Sequence, residues 1–118
     1  MIMIINVIKG IKECWVYKMF VVVDKFKILN VYLFSFENDW RLRGDKLKTV
    51  EGFVLLELLR GEVAETYTSY NCQTKWKTRE HFLQWLSSPN FHEIRNTLPT
   101  NFSFHHSLPR HECFELVM

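Results

Sequence analysis

The sequence predicts an α+β domain, one antiparallel sheet with helices packed on one of its faces. Two periodicities and one order predict it. Apolar residues alternate at period two in four segments, they recur at three- and four-residue spacing in three others, and from Met19 onward the two kinds follow each other as β-α-β-β-α-α-β.

The first strand is Phe20–Ile28. Phe20, Val22, Asp24, Phe26 and Ile28 fall on one side and Val21, Val23, Lys25 and Lys27 on the other. An aspartate thus stands in the middle of an apolar stripe. Residues 31–43 read as a helix, because Leu33, Phe36 and Trp40 fall on one face and Gly44-Asp45 is a stop signal. The apolar run Leu29–Phe34 fits a longer strand or a hydrophobic contact surface.

Gly52–Arg60 is apolar on both alternating faces, the pattern of a strand covered on both sides in a barrel or under a subunit interface. Gly61-Glu62 signals a turn, and Glu65–Trp76, rich in Thr and Tyr, is the next strand. Thr78 is an N-cap candidate for a helix with Phe82, Trp85 and Leu86 on its buried stripe. Ser88-Pro89 starts a second short helix, with Phe91, Ile94 and Leu98 on its apolar face. Residues 96–109 read as a loop, and Glu112–Met118 as a closing strand with Phe114, Leu116 and Met118 on one side. A sheet of about four strands with two apolar faces needs its second face covered, and dimerisation is a simple way to cover it.

Composition narrows the function classes. The chain has 118 residues, 47% hydrophobic and 24% charged, which suits one globular domain with a modest core. Ten Phe and four Trp suit a core, a ligand pocket or an interface. A net charge of +2 gives no argument for nucleic acid. Cys14, Cys72 and Cys113 are odd in number and widely spaced, which points away from a disulfide framework or zinc site and toward a reducing, cytoplasmic setting. No apolar run reaches the roughly 20 residues of a membrane span. Residues 1–18 form an extension that lacks a basic start and a small-residue cleavage site; an organellar targeting role stays open for it, as does an extra strand.

The ordered landmarks Met19–Asp24, Phe36–Arg41, Glu51–Phe53, Leu58–Gly61, Thr74–Trp76, Phe82–Trp85 and Phe114–Val117 together resemble the antibiotic biosynthesis monooxygenase family, whose members include the haem-degrading enzymes of the IsdG type. The resemblance runs from Met19 to Met118 and implies a ferredoxin-like domain that pairs into a dimeric α+β barrel. It implies a monooxygenase-type oxidoreductase, with haem as a possible cofactor or a small apolar or aromatic ligand in its place. A non-catalytic barrel that binds a ligand or a partner is the alternative.

In the haem-degrading branch an Asn on the first strand, a Trp ending the third strand and a His on the last helix line the pocket. By motif these positions fall here on Asp24, Trp76 and Arg95, with His92 one helical turn before Arg95. Asp24 and Trp76 are therefore the candidate catalytic residues, and His92 and Arg95 the candidate cofactor-binding residues. An arginine keeps its proton and is no ordinary iron ligand, so haem would need His92 instead. An Asp24–Arg95 ion pair could fill the place of the Asn and His. Tyr70, Cys72 and Thr74 share the strand face of Trp76 and extend the candidate lining. Trp40 and Trp85 read as helix core. His105, His106 and His111 read as a solvated loop rather than a metal set, since nothing orients them.

Overall fold

The computed structural model describes residues 19–97 and 104–118, and for residues 94–97 the backbone only; the extension 1–18 lies outside the described residues. The elements are β1 (Phe20–Leu29), α1 (Leu33–Leu47), β2 (Phe53–Val63), β3 (Tyr67–Trp76), α2 (Arg79–Leu86), α3 (Pro89–Thr97) and β4 (Arg110–Glu115), with a 3₁₀ turn at Asn30–Tyr32. Their order is the expected one. The sheet runs β2-β3-β1-β4, antiparallel throughout, with β2 and β4 at the edges.

Alternation decides which face is buried. Phe20, Val22, Phe26 and Ile28 of β1 are buried and lie opposite Trp76, Thr74, Tyr70 and Thr68 of β3, which are buried too; Cys72, also buried, lies opposite Asp24. The core has two parts. Phe26, Ile28, Phe36, Tyr70 and Cys72 pack together under α1, while Phe20, Val22, Leu47 and Trp76 pack together beneath Phe82 and Trp85 of α2. Among the described residues no helix is long and apolar enough to cross a membrane.

Several boundaries differ from those the sequence suggests. Helix α1 does not stop at Gly44-Asp45 but continues to Leu47. Leu47 is buried against the second core part, and that packing outweighs the cost of about 1 kcal/mol for a mid-helix glycine. The Gly61-Glu62 pair is not the turn. Strand β2 passes through it to Val63 with a register irregularity after Arg60, and the turn falls at Ala64–Thr66. Gly61 lies close to the β3 backbone, where a Cβ would meet Ser69 O at 3.4 Å. Strand β2 is also not covered on both faces within one chain, since Leu59 on the face away from the helices is 44% exposed. In the run Leu29–Phe34, Leu29 ends β1 and Tyr32 and Leu33 pack on the core, while Val31 and Phe34 are each 82% exposed.

The two caps at α2 and α3 are as the sequence indicates. Thr78 Oγ1 accepts from the His81 backbone N–H at 3.1 Å, and Ser88 Oγ accepts from that of Phe91 at 3.2 Å. Of the expected apolar face of α3, Phe91 is half-buried; the side chain of Ile94, and Leu98, lie outside the described residues.

Candidate functional site

A cavity of about 500 Å³ lies between the sheet and the three helices. Strand β1 supplies Val22 and Asp24, β3 supplies Thr74, and β4 supplies His111 and Cys113. Trp40, Arg43 and Leu47 come from α1; Phe82, Trp85 and Leu86 from α2; Phe91 from α3. The lining is mostly apolar and aromatic with a few polar groups, the composition of a small-molecule site.

The polar groups gather on the sheet side. Register places Asp24 opposite His111, and Val22 opposite Cys113. Asp24 Oδ1 lies 2.5 Å from His111 Nδ1. Burial raises the Asp24 carboxyl above its ordinary range, and the hydrogen bond and charge of His111 pull it back in part. The Asp24 side chain is 20% exposed and that of His111 68%, so the pair joins the cavity wall to water. With Nδ1 committed to the carboxylate, Nε2 is the imidazole nitrogen left for other work.

Beneath them Cys72 is fully buried, and burial with the nearby Asp24 charge drives its thiol far above the ordinary range. Arg43 opposes that rise in Cys72. Its guanidinium lies over the Trp40 ring, 5.5 Å from the centroid. Burial lowers its pKa, countered by Asp39 and Cys72, yet an arginine at neutral pH stays charged.

Of the sequence candidates, Asp24 stands in the cavity wall. Trp76 is 0% exposed and is not among the lining side chains. It lies behind them, with ring centroids 5.3 Å from Trp85 and 5.6 Å from Phe82. Its Nε1 donates to Thr74 Oγ1 at 3.1 Å. His92 is exposed on α3 and is also absent from the lining, and the Arg95 side chain lies outside the described residues. Among the described residues the partner of Asp24 is His111, because β4 begins at Arg110 and brings His111 into register; the expected pair with Arg95 lies outside the described residues. His111 is therefore a strand residue, not part of a solvated loop. His105 also has neighbours, with its ring packed on Phe26 and Phe36. Trp40 and Trp85, expected only in the core, line the cavity as well.

Sequence reasoning missed His111, Arg43 and Cys113. One signal was present for two of them: His111 and Cys113 alternate ahead of the β4 pattern and share a face.

Among the described residues three features bear on the haem site that the resemblance implies. Asp24 replaces the Asn, His92 is outside the cavity wall, and the one imidazole in that wall has Nδ1 tied to a carboxylate. Among the described residues no group of three or more His, Cys, Asp or Glu could hold a metal ion.

Comparison with known proteins agrees with the architecture. The family model described as antibiotic biosynthesis monooxygenase matches residues 19–97. No curated protein matches the chain. Among solved structures, SnoaB, a cofactor-independent oxygenase from Streptomyces nogalater, superposes with a TM-score of 0.65 at 21% identity, over 82% of this chain and 91% of that one. A haem-degrading protein from Mycobacterium tuberculosis, in its haem-free form, superposes with a TM-score of 0.61 at 19% identity, over 86% of this chain and 93% of that one. At these identities the likeness is one of fold.

Proposed function

The chain belongs to the antibiotic biosynthesis monooxygenase family, and from that membership we propose that it is a monooxygenase-type oxidoreductase for a flat, electron-rich hydroxyaromatic compound, working without a bound cofactor. The observation that carries this reading is the Asp24–His111 pair set in the wall of an otherwise aromatic cavity of about 500 Å³.

The chemistry follows from the groups available. His111, oriented by Asp24, takes the proton of the substrate hydroxyl at Nε2. The carboxylate stabilises the imidazolium, and the exposed edge of His111 passes the proton to water. The substrate oxyanion is electron-rich enough to reduce O₂ directly. One oxygen atom enters the ring carbon, the other leaves as water, and the substrate supplies the electrons; a hydroxyarene plus O₂ becomes a quinone plus H₂O, which balances. Phe82, Trp85 and Phe91 hold the ring system and keep bulk water from the reacting carbon. Trp76 acts from behind by fixing the Trp85 and Phe82 rings.

The reading includes a homodimer. The outer sheet face carries Val21, Val23 and Leu55 beside Leu59 and Phe114, which are 44% and 47% exposed, and a second copy would cover them. Light scattering is expected to give twice the chain mass.

The test uses haem as a competitor reading. Haem titrated into the protein is expected to give no ligated Soret spectrum, while 1-naphthol is consumed with O₂ and 1,4-naphthoquinone forms. A Soret shift lost in His92→Ala, with no turnover of 1-naphthol, would replace this reading with a haem enzyme.

A further inference from the structure

The ligand cavity uses three of the four strands. Its wall takes Val22 and Asp24 from β1, Thr74 from β3, and His111 and Cys113 from β4, but no described residue of β2. Strand β2 instead borders two clefts shared with α1, each of about 380 Å³, and Leu56 lines both. Among the described residues, Trp40 is the one that the cavity has in common with either cleft.

The sheet-facing stripe of α1 explains the division. Phe36 and Leu47, toward the two ends of the helix, are buried and close it onto the sheet. Between them stand Trp40 and, one turn later, Gly44. Gly44 brings no side chain, and a Cβ there would be in ordinary contact with the Leu56 methyl groups at 3.9 Å. Beneath the middle of α1 the indole of Trp40 is therefore the divider. It is held in place, with its ring centroid 5.7 Å from that of Phe26 on β1. His111 stands at the other end of the cavity, because β4 and β2 are the two edge strands, three strand spacings or about 14 Å apart.

We propose that Trp40 is a specificity-determining residue, the end wall of the ligand cavity on the side away from His111, so that the site takes compact fused-ring hydroxyarenes and disfavours those extended along the axis leading away from the hydroxyl. This rests on the hydroxyaromatic reading above and adds the shape of the substrate. With the hydroxyl at His111, the far end of the ring system points along the sheet toward β2 and meets the indole. Length, not volume, is then what the wall limits. A smaller side chain at position 40 joins the cavity to the clefts along β2, and an extended ligand lays its far end on Leu56.

The experiment measures binding without turnover. 2-Naphthol and 6-phenyl-2-naphthol, which carries an extra ring at the end far from the hydroxyl, are bound to the full chain by anaerobic equilibrium dialysis. The proteins are the parent, Trp40→Ala, and Trp40→Ala combined with Leu56→Phe. The parent is expected to favour 2-naphthol. In Trp40→Ala the ratio of the two affinities is expected to move about tenfold or more toward the phenyl compound, since a ring's worth of apolar surface finds a place to be buried. Leu56→Phe refills that place from β2 and is expected to return the ratio most of the way, an effect that mere loosening of the core would not give. Circular dichroism checks that each variant is folded; Trp40→Leu, which keeps more of the contact with Phe26, carries the same expectation if Trp40→Ala does not fold. Equal affinity of the parent for both compounds, a ratio within about threefold of the parent's in the position-40 variant, or a gain untouched by Leu56→Phe would overturn the proposal. Those results leave the oxygenase reading to its own test. Binding of neither compound to the parent would overturn the proposal by removing the ligand class it rests on, and because oxygen is absent, a lack of turnover has no bearing on the ratio.

Discussion

Asp24 and His111 are 87 residues apart in sequence and 2.5 Å apart between Oδ1 and Nδ1, because β1 and β4 pair in a register that sets them directly opposite. Under the proposed function the pair moves the substrate proton, and burial of the carboxyl gives it a stability cost. Burial raises the Asp24 carboxyl, so the folded protein holds that proton more tightly than the unfolded chain does. The contribution of Asp24 is therefore most favourable below its ordinary value of 3.8 and is lost as pH rises through the raised value. Asp24→Asn keeps an acceptor for His111 and removes the buried charge. At pH 7 it is expected to be as stable as the parent or more so in urea denaturation, the gap closing below about pH 4, while turnover of the hydroxyaromatic falls by about 10²-fold or more.

Glu37 is expected to behave in the opposite sense. It accepts hydrogen bonds from the Tyr70 hydroxyl and from Arg60, which tie α1 to β2 and β3. These contacts hold its carboxyl below the ordinary 4.5. A lowered carboxyl gives stability that is present above 4.5 and is lost as pH falls through the lowered value. Glu37→Gln is expected to flatten acid unfolding in that window, measured by thermal melts from pH 5 downward. Tyr70→Phe, which removes one of the Glu37 donors, is expected to cost about 1 kcal/mol at pH 7.

Gly52 has φ 83°, and a Cβ there would lie 2.2 Å from His81 Cγ. The ring is held by a 2.7 Å hydrogen bond between Nδ1 and Thr78 Oγ1, so it cannot simply swing aside. Gly52→Ala is expected to destabilise by more than about 2 kcal/mol, from the left-handed backbone and the clash together. In a double-mutant cycle by urea denaturation His81→Ala should relieve the clash part and leave the backbone part.

The thiols should separate cleanly. Cys72 is fully buried and its thiol is pushed far up, while Cys113 is exposed at the cavity edge. Iodoacetamide followed by peptide mapping should label Cys113 in the native protein and Cys72 only after denaturation. Saturating hydroxyaromatic ligand should slow the Cys113 reaction, since that residue lines the cavity.

The fold was legible in the sequence where local pattern and burial coincide. Phe20, Val22, Phe26 and Ile28 alternate and are buried; Thr78 and Ser88 sit where caps are needed and do cap. It was less legible where tertiary packing overrides a local signal, as when burial of Leu47 carries α1 past Gly44, or where the β2–β3 ladder carries the strand through Gly61-Glu62 without a turn. The site was half visible. An aspartate in an apolar stripe points to a cavity without naming its partner, because the partner is fixed by the β1–β4 register and the nearby Pro109 makes the segment around His111 read as a loop. Trp76 illustrates the converse. Its strand face is readable, but whether it meets ligand or stands behind other rings depends on α2 laying Phe82 and Trp85 over it.

The measurement closest to the central claim is oxygen consumption by the full chain, freed of haem and metal by chelation and gel filtration, with a panel of one- to three-ring hydroxyarenes and hydroxyaryl acids. The account predicts uptake of one O₂ per quinone formed, without added reductant, and a loss of about 10²-fold or more in both Asp24→Asn and His111→Ala. Uptake that is no faster than the protein-free rate across the panel, or that is unchanged in both variants, would contradict it.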